Sequence, residues 1–284
     1  MPQLPPLLVL GSINQDLVAH TSRLPSPGET VGEGVLSSLS GGKGANQAVA
    51  AARLGSQVRL IGAVGDDEAG RRIRGELTAL GVDTSLVTTV DAATGTALIV
   101  VDDAGENQIA VCPGANAHIE FPASGATATA VLTQLEVPMQ VVMHAAKTTT
   151  GYFAVNASPA RPLPAELVRR CDLVIVNESE YAQLPELSEA KLVAVTYGSQ
   201  GSALFSAGRE ILRVPAQAAD VVNTVGAGDS YCAALTLGLA AGSDPLLVLQ
   251  VATAAAAEAV GHPASQPPLK SWAAYEHALR KRSR

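Results

Sequence analysis

Leu-Leu-Val-Leu at residues 7–10 and Val-Arg-Leu-Ile-Gly-Ala-Val at residues 58–64 are short runs whose apolar residues do not alternate with polar ones. Similar runs lie at residues 131–135, 141–143, 153–156, 173–176 and 192–196. Continuous apolarity indicates strands buried on both faces, and helical patterns such as 67–80 and 246–260 separate or follow them. The sequence therefore predicts an α/β fold of three layers, a doubly wound and mainly parallel sheet covered by helices.

Two segments break this alternation. Residues 14–40 contain prolines, glycines and short semi-polar runs without a helical pattern, and residues 95–111 read as a hairpin around 102–107. We expect both segments to form a small β lid. The core then comprises residues 1–13, 41–94 and 112–284.

Composition narrows the class of protein. The chain has 284 residues, of which 47% are hydrophobic and 3% aromatic, and its net charge is −7. These values predict one compact body without a nucleic-acid surface, which would need clustered cations and stacking rings. Cys112, Cys171 and Cys232 form no C-x-x-C pair, and no apolar run is long enough for a membrane span or signal peptide. We expect a cytoplasmic protein without a disulfide framework or zinc site.

The stretch Asn-Thr-Val-Gly-Ala-Gly-Asp-Ser at residues 223–230 places a glycine-flanked turn before an Ala/Leu-rich helix. Unpaired N–H groups at a helix start attract anions, so Gly226, Ala227 and Gly228 predict an anion hole for a phosphoryl group. Asp229 is then placed to accept a hydroxyl proton. The alternative is that Asp229 only caps the helix. A dinucleotide fingerprint is disfavoured because Tyr231 stands where its third glycine belongs.

A second glycine-rich element, Gly-Gly-Lys-Gly-Ala-Asn-Gln-Ala at residues 41–48, opens a predicted helix that runs from 46 to 54. It is not a Walker A loop, because Gly44 follows the lysine where Ser or Thr is required. Lys43 and Asn46 are three residues apart and so project to one side of the helix start, toward a small polar ligand. The alternative is an ordinary exposed turn with a solvated lysine.

Polar residues also follow predicted strands, and ligands of open α/β sheets bind at the carboxyl ends of strands. Asn14, Asp16 and Glu136 occupy such positions. Asn177 and Glu180 begin a helix, where carboxylate oxygen suits Mg²⁺ held through water and phosphate, although the same pair also matches a capping box. Residues 196–201 read either as a hairpin turn or as a nucleotide-lining loop.

These motifs occur in the order found in the ribokinase-like sugar kinases. The segments that carry the resemblance are residues 11–16, 27–30, 41–48, 65–67, 105–107, 134–136, 177–180, 196–201 and 226–229. Because they span nearly the whole chain, the resemblance is more specific than any one motif.

The resemblance implies a set of roles. The implied sugar-binding residues are Asn14, Asp16, Gly41, Gly42, Lys43, Asn46, Glu136 and Asp229, with Asp229 as base. The implied ATP-binding residues are Asn177, Thr196, Gly198, Ser199, Gly201, Gly228 and Thr253. The resemblance further implies that Glu180 helps to organise Mg²⁺ and that two copies form a homodimer through their β lids.

The chain departs from the resemblance at three points. A peripheral helix is missing near residues 185–191, and Pro268 stands where a serine is usual. Asn223 replaces the aspartate that helps to hold a potassium ion. The implied potassium site would comprise Asn223, Val225, Ala259, His262 and Ala264. We therefore expect a weakened potassium site.

The predicted function is ATP-dependent phosphorylation of the primary hydroxyl of a pentose, with D-ribose the leading candidate. 2-Deoxyribose, fructose or another furanose stays open. A nucleoside is disfavoured because neither lid segment contains Phe, Tyr or Trp to stack a base. From a different class, a catalytically silent sugar-binding protein would share the fold, but it would not need Asp229 and its turn.

Overall fold

The secondary structure alternates strands and helices along residues 3–282, which are those that the computed structural model describes. The strands are β1 (Leu7–Leu10), β2 (Asn14–Thr21), β3 (Val35–Gly41), β4 (Val58–Gly65), β5 (Val82–Asp83), β6 (Val87–Val90), β7 (Gly95–Asp102), β8 (Asn107–Cys112), β9 (Ala130–Gln134), β10 (Tyr152–Asn156), β11 (Leu173–Asn177), β12 (Val193–Thr196), β13 (Ser202–Ser206) and β14 (Arg209–Val214). The α-helices are α1 (Lys43–Leu54), α2 (Glu68–Ala79), α3 (Met139–Thr148), α4 (Ala165–Arg170), α5 (Glu178–Gln183), α6 (Ala227–Ala240), α7 (Pro245–Val260) and α8 (Trp272–Arg282).

The central sheet has the order β14-β13-β12-β11-β10-β9-β1-β4-β5, with β6 paired to β4. Neighbours from β12 to β5 run parallel, whereas β13 and β14 form an antiparallel edge. Strand β1 is buried along its whole length, as its unbroken apolar sequence predicts. Parallel pairing brings the carboxyl ends of β1, β9, β10, β11 and β12 to one edge of the sheet.

Helices cover both faces of this sheet. One apolar cluster packs α1, α2, α6, α7 and α8 against the first face, with residues such as Leu54, Ile73 and Leu235 fully buried. A second cluster packs α3 and α4 against the other face through Val142 and Leu167. The predicted three-layer, doubly wound α/β fold is confirmed.

A separate sheet of order β3-β2-β7-β8 forms the small β lid. Strand β2 pairs antiparallel with β3 and parallel with β7, and β7 and β8 form the predicted hairpin. The lid strands leave and enter the core beside the carboxyl end of β1. The lid therefore stands over the sheet edge where a ligand would bind.

Two local predictions need correction. Residues 141–143, predicted as a strand, lie inside helix α3, because their three apolar residues belong to a helical spacing that buries Val142, Ala145 and Ala146. Helix α1 begins at Lys43 instead of Asn46, directly after Gly42. Near 185–191 the missing helix is replaced by one short 3₁₀ turn, Pro185–Glu189. Among residues 3–282, no helix combines the length and apolarity that crossing a bilayer requires.

Candidate active site

Two adjoining cavities open at the carboxyl edge of the central sheet. The first, of about 400 Å³, lies under the lid, and among its lining residues are Asn14, Asp16, Gly42, Lys43, Asn46, Glu136, Asn177, Glu180 and Asp229. The second, of about 650 Å³, is lined by residues that include Thr196, Gly198, Ser199, Gly201, Gly228 and Thr253. Gly228 lines both cavities. The fold thus brings the predicted sugar and nucleotide residues to two neighbouring spaces that meet at the start of α6.

The glycines before α1 make room for the polar groups of the first cavity. Gly42 has φ 89°, and a Cβ on it would lie 2.8 Å from the backbone nitrogen of Asn14. A Cβ on Gly41 would overlap the carboxylate of Asp16. Gly41, which we predicted to bind sugar, therefore acts in this structure by giving Asp16 space.

Glu136 is fixed against the start of α1. Its Oε2 accepts hydrogen bonds from Ser12 Oγ at 2.5 Å and from the backbone nitrogen of Lys43 at 3.2 Å. A carboxylate at a helix N-terminus is favoured by the unpaired N–H groups there. One oxygen of Glu136 is therefore used for positioning, while the side chain still lines the cavity.

Asp229 lies in the first turn of α6 and is only 8% exposed. Asn46 Nδ2 donates to its Oδ2 at 3.1 Å, and Gln47 Nε2 donates to its Oδ1 at 3.0 Å. Burial raises the pKa of Asp229, while the Lys43 ammonium and these two amides act to lower it, and the net pKa stays above the ordinary value. A carboxyl with a raised pKa in a cavity is suited to accept a proton.

The other charges of the first cavity are coupled to Asp229. Burial, followed by the nearby carboxylates of Glu136 and Asp229, raises the pKa of Asp16 to about 7. Burial acts to lower the pKa of Lys43, but Asp229 and Glu136 outweigh it and the pKa lies above its usual range. Lys43 is therefore a cation among three carboxyl groups.

The turn before α6 has the geometry of an anion site. Gly226 is left-handed, with φ 83°, and a Cβ there would overlap the carbonyl oxygen of Ser265. A Cβ on Gly228, in contrast, would meet no atom within 4 Å. The first N–H groups of α6 have no partner in their own helix, and that of Ala227 donates to the Thr224 carbonyl at 3.4 Å. Gly226 therefore shapes the turn, and Gly228 leaves it accessible.

The loop between β12 and β13 borders the second cavity. Gly198 and Gly201 have φ 55° and 98°, and Gly201 lies against the carbonyl of Val214. The loop is both a hairpin turn and a cavity wall, so the two readings of residues 196–201 are compatible. Thr253 also lines this cavity, and its Oγ1 is 3.1 Å from Ser202 Oγ at the end of the loop. None of the described residues that line this cavity is charged, so phosphate would be bound by N–H and hydroxyl groups.

Asn177 and Glu180 form the capping box that was the alternative to a metal role. Asn177 Oδ1 accepts the Glu180 N–H at 2.8 Å, and Glu180 Oε2 accepts the Asn177 N–H at 2.8 Å. The described part of the chain contains no group of three His, Cys, Asp or Glu residues arranged around a metal position. The capping box uses one oxygen of Glu180, and the side chain also lines the first cavity, so its second oxygen could hold Mg²⁺ through water.

The residues implied for potassium lie together but fit a cation poorly. Asn223 Nδ2 donates to the carbonyl oxygen of Pro263 at 2.8 Å, and its Oδ1 accepts the Val225 N–H at 3.0 Å. The Ala259 carbonyl accepts the His262 N–H, and His262 Nδ1 accepts the Ala264 N–H. Both ends of the Asn223 amide are thus engaged by protein groups, and its oxygen is neutral where the resemblance implies a carboxylate.

Several residues that shape the site were not predicted. Asn116 Nδ2 donates to Asn14 Oδ1 at 2.7 Å, and Gln134 Nε2 donates to Gln47 Oε1 at 2.5 Å. Asn156 lines the first cavity at the end of β10. The signal for Gln134 was available, since it is a polar residue that ends an apolar strand. Asn116 lies in the short 3₁₀ turn Gly114–His118 and carries no comparable signal.

Comparison with known proteins agrees with this geometry. Residues 5–272 match the model of the pfkB family of carbohydrate kinases. The ribokinase of Bacillus subtilis (strain 168) is 38% identical over 273 residues, which cover 89% of this chain and 92% of that protein. The ribokinase of Schizosaccharomyces pombe is 34% identical over 272 residues, covering 83% and 86% respectively. The structure of Arabidopsis thaliana ribokinase complexed with ribose and ATP has a TM-score of 0.87 and 30% identity, covering 98% and 99% of the two chains.

The family match extends over nearly the whole chain and includes every segment that forms the two cavities. The chain belongs to the pfkB family of carbohydrate kinases.

Proposed function

We propose that the protein transfers the γ-phosphoryl group of ATP to the primary hydroxyl of D-ribose, giving D-ribose 5-phosphate and ADP. The observation that carries this proposal is the meeting of the two cavities at Gly228, with the buried carboxylate of Asp229 beside it. A sugar in the first cavity and a nucleotide in the second would present their reacting atoms to each other at that point. The similarity to ribokinases at up to 38% identity supports ribose as the sugar.

In the proposed reaction, the hydroxyl oxygen attacks the γ-phosphorus while the bond to the β,γ-bridging oxygen breaks. The hydroxyl proton passes to Asp229, whose pKa is raised by burial. The N–H groups at Gly226–Gly228 and the Lys43 ammonium stabilise negative charge on the transferring group. Mg²⁺, when bound with the nucleotide, neutralises phosphate charge; Glu180 is the residue we propose to orient its water ligands.

The first cavity suits a small polyhydroxyl ligand. Its polar wall offers the amide of Asn46, the ammonium of Lys43 and the carboxylates of Asp16 and Glu136. Its lid wall is formed by Ala97, Ile99, Ile109 and Val111. Aliphatic side chains cannot stack a nucleobase as aromatic rings do, so we favour a free sugar over a nucleoside. Nucleoside kinases with 19% and 18% identity share the fold alone.

We also propose a homodimer formed through the lid. The strand register places Val35, Leu39, Ile109 and Val111 on the same lid face as Asp16. They are 68%, 42%, 55% and 49% exposed, respectively. A patch of exposed aliphatic side chains on one sheet face favours association with a second copy.

The free state of Cys112, Cys171 and Cys232 supports a cytoplasmic location.

The test is an ADP-release assay with ribose, 2-deoxyribose, fructose and adenosine, followed by identification of the phosphorylated product. We expect ribose to have the highest kcat/KM and phosphate to appear on its primary hydroxyl. If another furanose has the highest kcat/KM, that sugar and not ribose is the substrate. If adenosine alone is phosphorylated, the protein is a nucleoside kinase. No release above the Asp229→Asn background with any acceptor would favour a silent sugar-binding protein.

A further inference from the structure

A chain of buried side-chain amides leads from strand β9 to the carboxylate of Asp229. Gln134 Nε2 donates to Gln47 Oε1 at 2.5 Å, and Gln47 Nε2 donates both to Asp229 Oδ1 at 3.0 Å and to Asn156 Oδ1 at 3.1 Å. Gln47 and Gln134 are 0% exposed. Both side chains lie behind the cavity wall and have no access to substrate.

The direction in which these amides donate is fixed by the carboxylate of Asp229 at the end of the series. An ionised carboxylate only accepts hydrogen bonds, so Gln47 must turn its NH₂ group toward Asp229. Its oxygen then points away and requires a donor, which is the NH₂ group of Gln134. Gln134 Oε1 has no hydrogen-bond partner among residues 3–282 and lies against Gly11, where a Cβ would overlap it. The free-energy cost of that unpaired acceptor indicates that the orientation of Gln134 serves another group.

We propose that Gln134 is a positioning residue that acts through Gln47 to keep Asp229 ionised and correctly oriented for the proton transfer. This inference rests on the proposed function, in which Asp229 is the base. If the side-chain amide of Gln47 rotated by half a turn, its oxygen would face Asp229 Oδ1. The two acceptors would then repel each other unless a proton lay between them. The donor from Gln134 prevents that rotation together with Asn156 Oδ1, which accepts from Gln47 Nε2 at 3.1 Å.

The charged and titratable groups around Asp229 do not fix its orientation by themselves. Lys43 on α1 favours the ionised form, whereas Glu136 disfavours it and Asp16 on the lid adds a like charge. Cys232 on α6 is buried, and burial raises the pKa of its thiol, so it stays neutral. These groups act through space without directing a hydrogen bond to Oδ1. The amide of Gln47 is the group that does so.

The experiment compares Gln134→Met and Gln47→Met, which keep side-chain length but remove the amide. Leu132→Val is the matched control, because Leu132 is also fully buried on β9 and the substitution removes volume without touching the amides. The readout is the single-turnover rate of ribose 5-phosphate formation from pH 5 to 9, at saturating ribose and MgATP. Thermal unfolding and calorimetric ribose binding are measured in parallel.

For Gln47→Met we expect the acid limb of the pH profile to move upward by about one unit, as loss of one hydrogen bond to a charged group predicts. Gln134→Met should move it in the same direction by less, and Leu132→Val should leave it in place. The rate of each Met variant should recover toward wild type above the shifted limb. Ribose affinity should change by less than about threefold, because neither glutamine lines the cavity.

An unchanged acid limb in a folded Gln134→Met variant, with or without a loss of thermal stability, would overturn the inference, and so would an unchanged limb in Gln47→Met. If Gln134→Met does not fold, the limb in Gln47→Met still decides whether the amide chain sets the protonation of the base. If the wild type forms no ribose 5-phosphate, the proposed function fails instead. That outcome is seen before any variant is compared.

Discussion

Substitution of the two glycines that flank Ala227 should affect stability and catalysis separately. Gly226→Ala places an L-residue at φ 83° and its Cβ against the Ser265 carbonyl. The left-handed backbone costs about 1–2 kcal/mol and the overlap about 1–3 kcal/mol more. At roughly 2–4 °C per kcal/mol for a domain of this size, the melting temperature should fall by about 4–20 °C.

Gly228→Ala should have the opposite signature. Gly228 is helical, and alanine is favoured over glycine in a helix by up to about 1 kcal/mol, so stability should be unchanged or higher. Its methyl group would enter the open space at the junction of the two cavities, where we place the transferring phosphoryl group. We expect kcat to fall by about 10²-fold, as displacement of reacting groups by about 1 Å produces.

Differential scanning fluorimetry and steady-state kinetics on the two variants test this contrast. The refuting result is a Gly228→Ala enzyme with near-native kcat and KM for ATP, which would mean that phosphate does not pass this residue. A Gly226→Ala protein as stable as the wild type would refute the argument that the turn requires glycine at position 226.

Four further predictions follow from the site and the lid. Asp229→Asn should lower kcat by about 10²–10⁴-fold while ribose still binds in calorimetry, and near-native turnover would exclude it as base. Because the pKa of Asp16 is about 7 in the empty site, a sugar hydroxyl that donates to its carboxylate should bind more tightly as pH rises from 6 to 8. The dissociation constant should then be flat above that range, and Asp16→Asn should remove the dependence. Val35→Asp should weaken dimerisation in sedimentation equilibrium, whereas Leu36→Asp, equally exposed at 69% but on the opposite lid face, should not. With Asn223 engaged by Pro263 and Val225, potassium chloride should activate little over choline chloride at equal ionic strength; a many-fold activation that saturates at low millimolar potassium would contradict this.

The parallel strands β1, β4 and β9–β12 of the central sheet were predictable because each carries its own signal, whereas the edge strands β5, β6, β13 and β14 were not predicted. Runs such as Leu7–Leu10 are apolar throughout, and burial on both faces leaves no alternation to misread. The error at residues 141–143 has the same origin, since three apolar residues are too few to distinguish a strand from one face of a helix. Strands β2 and β3 have mixed polarity because one lid face is exposed, so their individual bounds carried little signal.

Candidate site residues were predictable where they belong to a local sequence motif. They were not predictable where only tertiary packing brings them together. Lys43 and Asp229 belong to glycine-rich motifs whose backbone requirements are visible in sequence. Gln47 and Gln134 stand within motifs as well, but their pairing joins residues 87 positions apart. The contact between Asn116 and Asn14 spans 102 positions and depends on how the 3₁₀ turn Gly114–His118 packs against the start of β2. No periodicity within one segment reports such contacts.

The base of the lid is a single row of residues. In the lid sheet Asn14 pairs with Gly41 on one side and Gly95 on the other, and it is the first residue of β2. Gly41 ends β3, and only Gly42 separates it from the first residue of α1, Lys43. Lys43 itself is tied to the core, because Glu136 accepts from its backbone nitrogen and the Ala45 N–H donates to the Ser12 carbonyl. A rotation of the lid about this row would therefore move Asp16 and the aliphatic lid wall relative to the cavity and leave Lys43 and Asp229 in place.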